Sequence, residues 1–211
     1  MTGNRRTAEP QATQRLAALI LAAGYSQRMG KRNKLLAEIA GQPMLAHVVH
    51  AVASSKATPV VVVTGHEHER VERALQGVPV RFVHNPNYRQ GLSSSIRCGL
   101  RAIPSDAAGL LVCLGDMPRV TRDHIDRLID VFHCSLVPAV VVPTFRGSRG
   151  NPVIFPRTLW PELAMLQGDV GARHWIAKHR EAVLAVEMDD NAVLIDIDYP
   201  SALQAFCRQM A

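Results

Sequence analysis

The 211-residue sequence lacks the cysteine pairing that marks metal ribbons and redox motifs. Its four cysteines, Cys98, Cys113, Cys134 and Cys207, include no CxxC. Cys113 falls in an apolar run, where a buried inert thiol is expected. Nine histidines are present. His66 and His68 stand close together but have no third ligand at a suitable interval, so they read as exposed loop residues rather than zinc ligands. Aromatics are only 5%, and no aromatic-plus-basic stripe appears, which argues against nucleic acid as a partner. No apolar run approaches the roughly 18 residues that span a bilayer, so no membrane partner is expected. Arg5-Arg6 leads into no apolar segment and does not read as an export signal. A reducing cytoplasm is therefore the expected location. A G-x-S-x-G elbow is missing, which removes the anchor for serine-hydrolase chemistry. No G-x-G-x-x-G follows an apolar strand, which weakens a dinucleotide-binding reading.

What is present is an ordinary globular composition, 47% hydrophobic and 20% charged, enough for a full core. The net charge of +6 favours anionic partners. Residues 1–14 read as a disordered polar tail, and residues 15–211 as a single domain, taken as a monomer. Buried strands are predicted at Leu16 to Ala22, Pro59 to Val63, Val80 to His84, Gly109 to Leu114 and Ala139 to Val142. Helices are predicted at Pro43 to Ser54, Glu67 to Leu75, Ser93 to Ile103 and Thr121 to Phe132, with Ser93 or Ser94 and Thr121 as caps. This alternation implies a parallel sheet covered on both faces. The loops after Ala22, Val63, His84 and Leu114 should then share one edge. Beyond residue 143 the pattern changes. RGSRGNPVIFPR reads as a Gly-rich turn into an extended segment, LWPELAML and GARHWIAKH as helices, VLAVEM and AVLIDID as strands, and SALQAFCRQM as a closing helix.

Four stretches carry candidate chemistry. Leu21-Ala22-Ala23-Gly24 leaves the first strand and is followed by Arg28, Lys31, Arg32 and Lys34. Small residues let main-chain amides approach a ligand, and the cations supply charge; a triphosphate needs both. Five residues separate Gly24 from Gly30, and Arg32 follows Lys31, so this is not a Walker A loop. Gly115-Asp116-Met117-Pro118 places a carboxylate at the end of a central strand, where Mg²⁺ is held against phosphates. Asp196 and Asp198, two residues apart in an extended stretch, fall on one side of it. One of them completes a site with Asp116, or Asp198 caps the helix that follows. Asn85 to Ser95 joins a strand to a helix, and its Ser hydroxyls and first-turn amides suit a base or phosphate, or simply the turn and cap. In Gly168 to Arg173, Arg173 suits an acceptor phosphate and Asp169 a helix cap.

These stretches, LAAGYSQRMGKRNKLL, VTGH, HNPNYRQGLSSSIRCGL, LGDMP, RGNPVIFP, GDVGAR and IDIDYPSAL, resemble the MobA-like nucleotidyltransferases over nearly the whole chain. The resemblance implies a three-layer α/β/α Rossmann-like nucleotidyltransferase fold with a mostly parallel sheet. It is strongest to the cytidylyltransferase branch, since the guanylyl relatives carry Gly where Ala23 stands. The implied reaction moves CMP from Mg-CTP to the phosphate of molybdopterin, the molybdenum cofactor, and releases pyrophosphate; a molybdoenzyme or its chaperone would take the product. The resemblance implies nucleotide contacts from Leu21, Ala22, Ala23, Gly24, Thr64, Asn85, Ser93, Ser94 and Ser95. Arg28 and Lys34 would neutralise the triphosphate and the leaving pyrophosphate, Asp116 and Asp198 would hold Mg²⁺, and Asn151 and Arg173 would meet the acceptor. Asn151 departs from the His that many members of this branch carry after Arg-Gly. The alternatives are a transferase using GTP, ATP or another phosphorylated acceptor, an NAD(P)-dependent oxidoreductase, and a non-catalytic cofactor carrier.

Overall fold

Strand β1, Leu16–Ala22, is buried at every position. A strand covered on both faces needs no polar alternation, and LAALILA has none. The computed structural model containing it describes residues 15–25, 33–168 and 173–210. The expectations for the tail 1–14, for Arg28, Lys31 and Arg32, and for Asp169 lie outside these residues. On either side of β1 run β4, Val60–Thr64, and β6, Gly109–Leu114, both parallel to it, and β5, Arg81–His84, lies parallel beyond β4. The register aligns Leu21 with Leu114, Ala22 with Thr64, and Thr64 with His84. All four strands therefore end level, and their exits share one edge as the alternation predicts.

On the far side of β6 one strand runs against the others. Strand β9, Val153–Pro156, is antiparallel to β6 and to β7, Val140–Phe145, and β10, Val183–Glu187, completes the sheet parallel to β7. The short β8, Ser148–Arg149, folds back on β7 through Arg146 and Gly147, both at positive φ, the geometry of a two-residue hairpin turn. The sheet order is β10-β7-β9-β6-β1-β4-β5. A separate hairpin pairs β2, Glu38–Ile39, with β3, Gln42–Pro43.

Alternate residues of β1 serve opposite layers. Ala18, Ile20 and Ala22 pack with Leu45, Val48, Val49 and Val52 of α1, Met44–Ala53, with Val71 of α2, His68–Ala74, and with Ile125, Leu128 and Ile129 of α4, Arg122–Cys134. Ala17, Leu19 and Leu21 pack with Ile96 of α3, Leu92–Leu100, Leu163 of α5, Trp160–Met165, and Ile176 of α6, Arg173–Lys178. Each fully buried Leu or Ile side chain contributes about 1.5–3 kcal/mol to this three-layer arrangement. Thr121 caps α4 in a reciprocal box with His124. Helix α7, Pro200–Met210, sets Phe206 against Ile39 and Met44 at the small hairpin. Among the described residues no helix is long and apolar enough to cross a membrane.

Two expectations are corrected. Helix α3 begins at Leu92 with Gly91 at its N-cap and no side-chain cap, so Ser93 and Ser94 sit inside its first turn. The stretch AVLIDID is no strand: Ala192–Leu194 is a 3-10 turn, and the chain then crosses the sheet edge. Its backbone bonds run sideways, from the Asn151 amide to the Val193 carbonyl at 2.9 Å and from the Ile197 amide to the Asp116 carbonyl at 3.0 Å. An apolar run this short has no periodicity that separates a strand from a packed turn.

Candidate functional site

The level strand exits open on a cleft of about 570 Å³. One wall is the turn after β1, with Leu21, Ala23, Gly24 and Tyr25; another is the β5–α3 connection, with Tyr88, Arg89, Gly91, Leu92 and Ser95; Lys34, Leu114, Asp116 and Asp198 close the third side. The carboxyl ends of parallel strands are where α/β sheets bind ligands.

Lys34 is fixed from below. It opens a 3-10 turn, Lys34–Leu36, in which the buried Asn33 accepts a hydrogen bond from the Leu35 amide at 3.1 Å and Leu35 anchors in the core. Its ammonium donates to Asp116 Oδ2 at 2.5 Å and to Asp198 Oδ1 at 2.6 Å. The side chains are 14%, 17% and 28% exposed, so the cluster is sheltered without being sealed. Burial alone lowers the Lys34 pKa, but the charges and hydrogen bonds of Asp116 and then Asp198 together outweigh it and leave the pKa raised. A lysine raised in the fold stabilises it fully below its ordinary 10.5 and loses that contribution only as the pH climbs through the higher folded value. Lys34 is therefore a fixed cation at neutral pH. Replacing it with Ala is expected to lower the transfer rate by about 10²-fold, the scale for losing one preorganised electrostatic donor. A pyrophosphate-release assay at matched folded concentration reads this, and an unchanged rate removes Lys34 from the site.

Asp116 offers its two oxygens to different tasks. Oδ2 meets Lys34, while Oδ1 is buried and has no hydrogen-bond partner among the described residues. A buried carboxylate oxygen without a partner costs stability unless a ligand completes it. A divalent cation fits that requirement. No group of three or more His, Cys, Asp or Glu gathers as metal ligands among the described residues, and a hard cation such as Mg²⁺ asks only for one or two carboxylates plus substrate phosphates. Asp198 reaches the cluster because the crossing segment is pinned to Asn151 and Asp116, whereas Asp196 is exposed. Of the two carboxylates offered by the sequence, Asp198 is the one in contact with Lys34.

Of the residues named from the sequence, Leu21, Ala23, Gly24, Ser95, Lys34, Asp116 and Asp198 border the cleft. Others do not. Ala22 points into the opposite core layer. Thr64 is fully buried and donates to Glu72 at 2.9 Å. Asn85 is also buried, and its side chain is consumed by the turn it closes: Nδ2 donates to Ser94 Oγ at 2.9 Å and Ser95 Oγ at 3.1 Å, and Oδ1 accepts from the Asn87 amide. Ser94 bonds back to the Asn87 and Gly91 carbonyls, and Ser93 is sealed from solvent. Asn151 is half-buried at the strand edge outside the cleft lining. Arg173 opens α6, and its side chain lies outside the described residues. His66 and His68 are half-buried rather than exposed. The lining residues Tyr25, Leu35, Tyr88 and Arg89 escaped sequence reasoning; tyrosines three and four residues beyond a strand end were the available signal.

Residues 18–183 match the family model described as MobA-like NTP transferase domain. The purine catabolism protein PucB of Bacillus subtilis is 30% identical, over 93% of this chain and 98% of its own length. The crystal structure of Rv0371c from Mycobacterium tuberculosis superposes with a TM-score of 0.83 at 24% identity, covering 93% of this chain and 100% of that one. Its complex with manganese does so at 0.75 and 25%, covering 92% and 98%. A nucleotidyl transferase from Methanothermobacter gives 0.80 and 26%, covering 92% and 97%. The chain thus belongs to the MobA-like NTP transferase family, as a nucleotidyltransferase acting on a nucleoside triphosphate.

Proposed function

We propose that the protein transfers CMP from CTP to the phosphate of molybdopterin and releases pyrophosphate, with Asp116 and Asp198 holding Mg²⁺. The observation that carries this reading is the Lys34–Asp116–Asp198 cluster beside the Gly24 turn, with Asp116 Oδ1 buried and unpartnered among the described residues. The manganese bound by Rv0371c supports a divalent cation. Ala23, a cleft-lining residue at the position where the guanylyl branch carries Gly, supports a pyrimidine.

In the proposed reaction an oxygen of the acceptor phosphate attacks the α-phosphorus. The bond from the α-phosphorus to the bridging oxygen breaks, and pyrophosphate leaves with the electron pair. A phosphate monoester is already anionic near neutral pH, so the attack needs positioning and charge more than a strong base. Bound Mg²⁺ supplies Lewis-acid charge at the phosphate oxygens. Lys34, with Arg28, offsets the charge that grows on pyrophosphate, and Asn151 and Arg173 receive the acceptor.

With Mg²⁺ present and all three nucleotides at one concentration, about a hundred times the Kd for CTP, CTP is expected to raise the melting temperature by about 5–10 °C, with GTP and ATP well behind. Pyrophosphate should then be released only when molybdopterin, supplied anaerobically, is added. A larger shift with GTP or ATP moves the protein to another branch of the family. Selective CTP binding without molybdopterin-dependent release rejects the acceptor.

A further inference from the structure

The β5 end of the cleft carries an aromatic and cationic cluster in addition to Lys34, Asp116 and Asp198. Tyr25 follows β1 and Tyr88 follows β5, and His66, after β4, is wedged between them: its ring centroid lies 4.5 Å from Tyr25, edge-on, and 6.1 Å from Tyr88. Gly65 allows this approach. A Cβ there would stand 2.7 Å from the Cβ atoms of both Ala23 and Tyr88. Over the two tyrosines lies the Arg89 guanidinium, 5.6 Å from the Tyr25 centroid and 5.9 Å from that of Tyr88. A flat cation shared by two rings is held with its plane available to a further planar group.

We propose that Tyr25, Tyr88 and Arg89 form a stacking ledge that grips the nucleobase of the triphosphate, with the Arg89 guanidinium as its planar contact. The inference rests on the nucleotidyltransferase reading and deepens it. Strand order supplies the direction. Asp116 and Asp198 mark the phosphate end at β6, and β5 stands three strand spacings away, about 14 Å. That separation suits a nucleotide lying along the sheet edge with its base farthest from the carboxylates. Asn151, on the other side of β6, leaves the acceptor to that flank. Ser95 borders the same end of the cleft, and its Oγ already accepts from Asn85, so its hydroxyl hydrogen is available to an acceptor on the base.

The test compares two ligands that differ by the nucleoside. Dissociation constants are measured for inorganic tripolyphosphate and for whichever of CTP, GTP or ATP the wild type binds best, both with Mg²⁺. Arg89→Ala and Tyr25→Ala are expected to weaken the nucleotide about 10-fold each while leaving tripolyphosphate within about twofold. Arg89→Lys, which keeps the charge and loses the plane, should behave like Arg89→Ala. Three results overturn the ledge: parallel weakening of both ligands with rescue by Arg89→Lys, which makes Arg89 a phosphate ligand; no change in either ligand; and a wild type that binds the nucleotide no better than tripolyphosphate. A wild type that prefers GTP or ATP overturns the cytidylyl reading alone, and the ledge is then judged on that nucleotide.

Discussion

Replacing Asp116 with Ala is expected to reduce pyrophosphate release by about 10³-fold or more, with a melting temperature within about 4 °C of wild type. The two effects separate because the carboxylate serves the ligand more than the fold. Its Oδ2 shares Lys34 with Asp198, so the ammonium keeps a partner when Asp116 is lost. Its Oδ1 is buried and unpartnered among the described residues, so deleting it also removes an unsatisfied group. The backbone contact that matters for geometry, from the Ile197 amide to the Asp116 carbonyl, survives the substitution. Single-turnover pyrophosphate release and calorimetry on the same preparation make the comparison. Near-wild-type release from Asp116→Ala removes the metal assignment.

Gly150→Ala is expected to lower the rate by about 10²-fold and to destabilise the fold by roughly 1–3 kcal/mol, although Gly150 contributes no functional atom. A Cβ on Gly150 would stand 2.1 Å from the Val193 carbonyl oxygen and 2.7 Å from its carbon. Both are backbone atoms and cannot rotate aside. The segment from Ala192 to Asp198 must then lift, and the bond from the Asn151 amide to Val193 goes with it. Asp198 is carried on that segment, and a displacement on the order of 1 Å at a catalytic group is what costs two decades of rate. Denaturant unfolding gives the stability loss, and assaying well below the unfolding midpoint isolates the rate. A Gly150→Ala variant that is destabilised yet fully active would show that the crossing segment does not set the position of Asp198.

The central strands were legible because burial on both faces writes an unbroken apolar run. β1 and β6 keep the bounds predicted from LAALILA and GLLVCL. Thr121 was legible because capping is local chemistry. The cluster of Lys34, Asp116 and Asp198 was legible as separate residues, each next to a strand end or turn. That Lys34 bridges the two carboxylates depends on contacts 82 and 164 residues apart, which no local pattern encodes. Asn85 and Thr64 looked available for a ligand because a polar residue after a strand reads the same whether it faces solvent or closes a turn. The structure gives their donors to Ser94, Ser95 and Glu72. The crossing segment 192–198 was misread as a strand because Val193 is buried by packing beneath Gly150 and not by pairing in the sheet.

The most direct measurement of the central claim is the anomalous signal from a crystal soaked with CTP and Mn²⁺. The account predicts a manganese peak contacting Asp116 Oδ1, with the triphosphate running along the Gly24 turn toward Lys34 and the base at the β5 end. A cleft without nucleotide, or an ion bound away from Asp116 and Asp198, would contradict it.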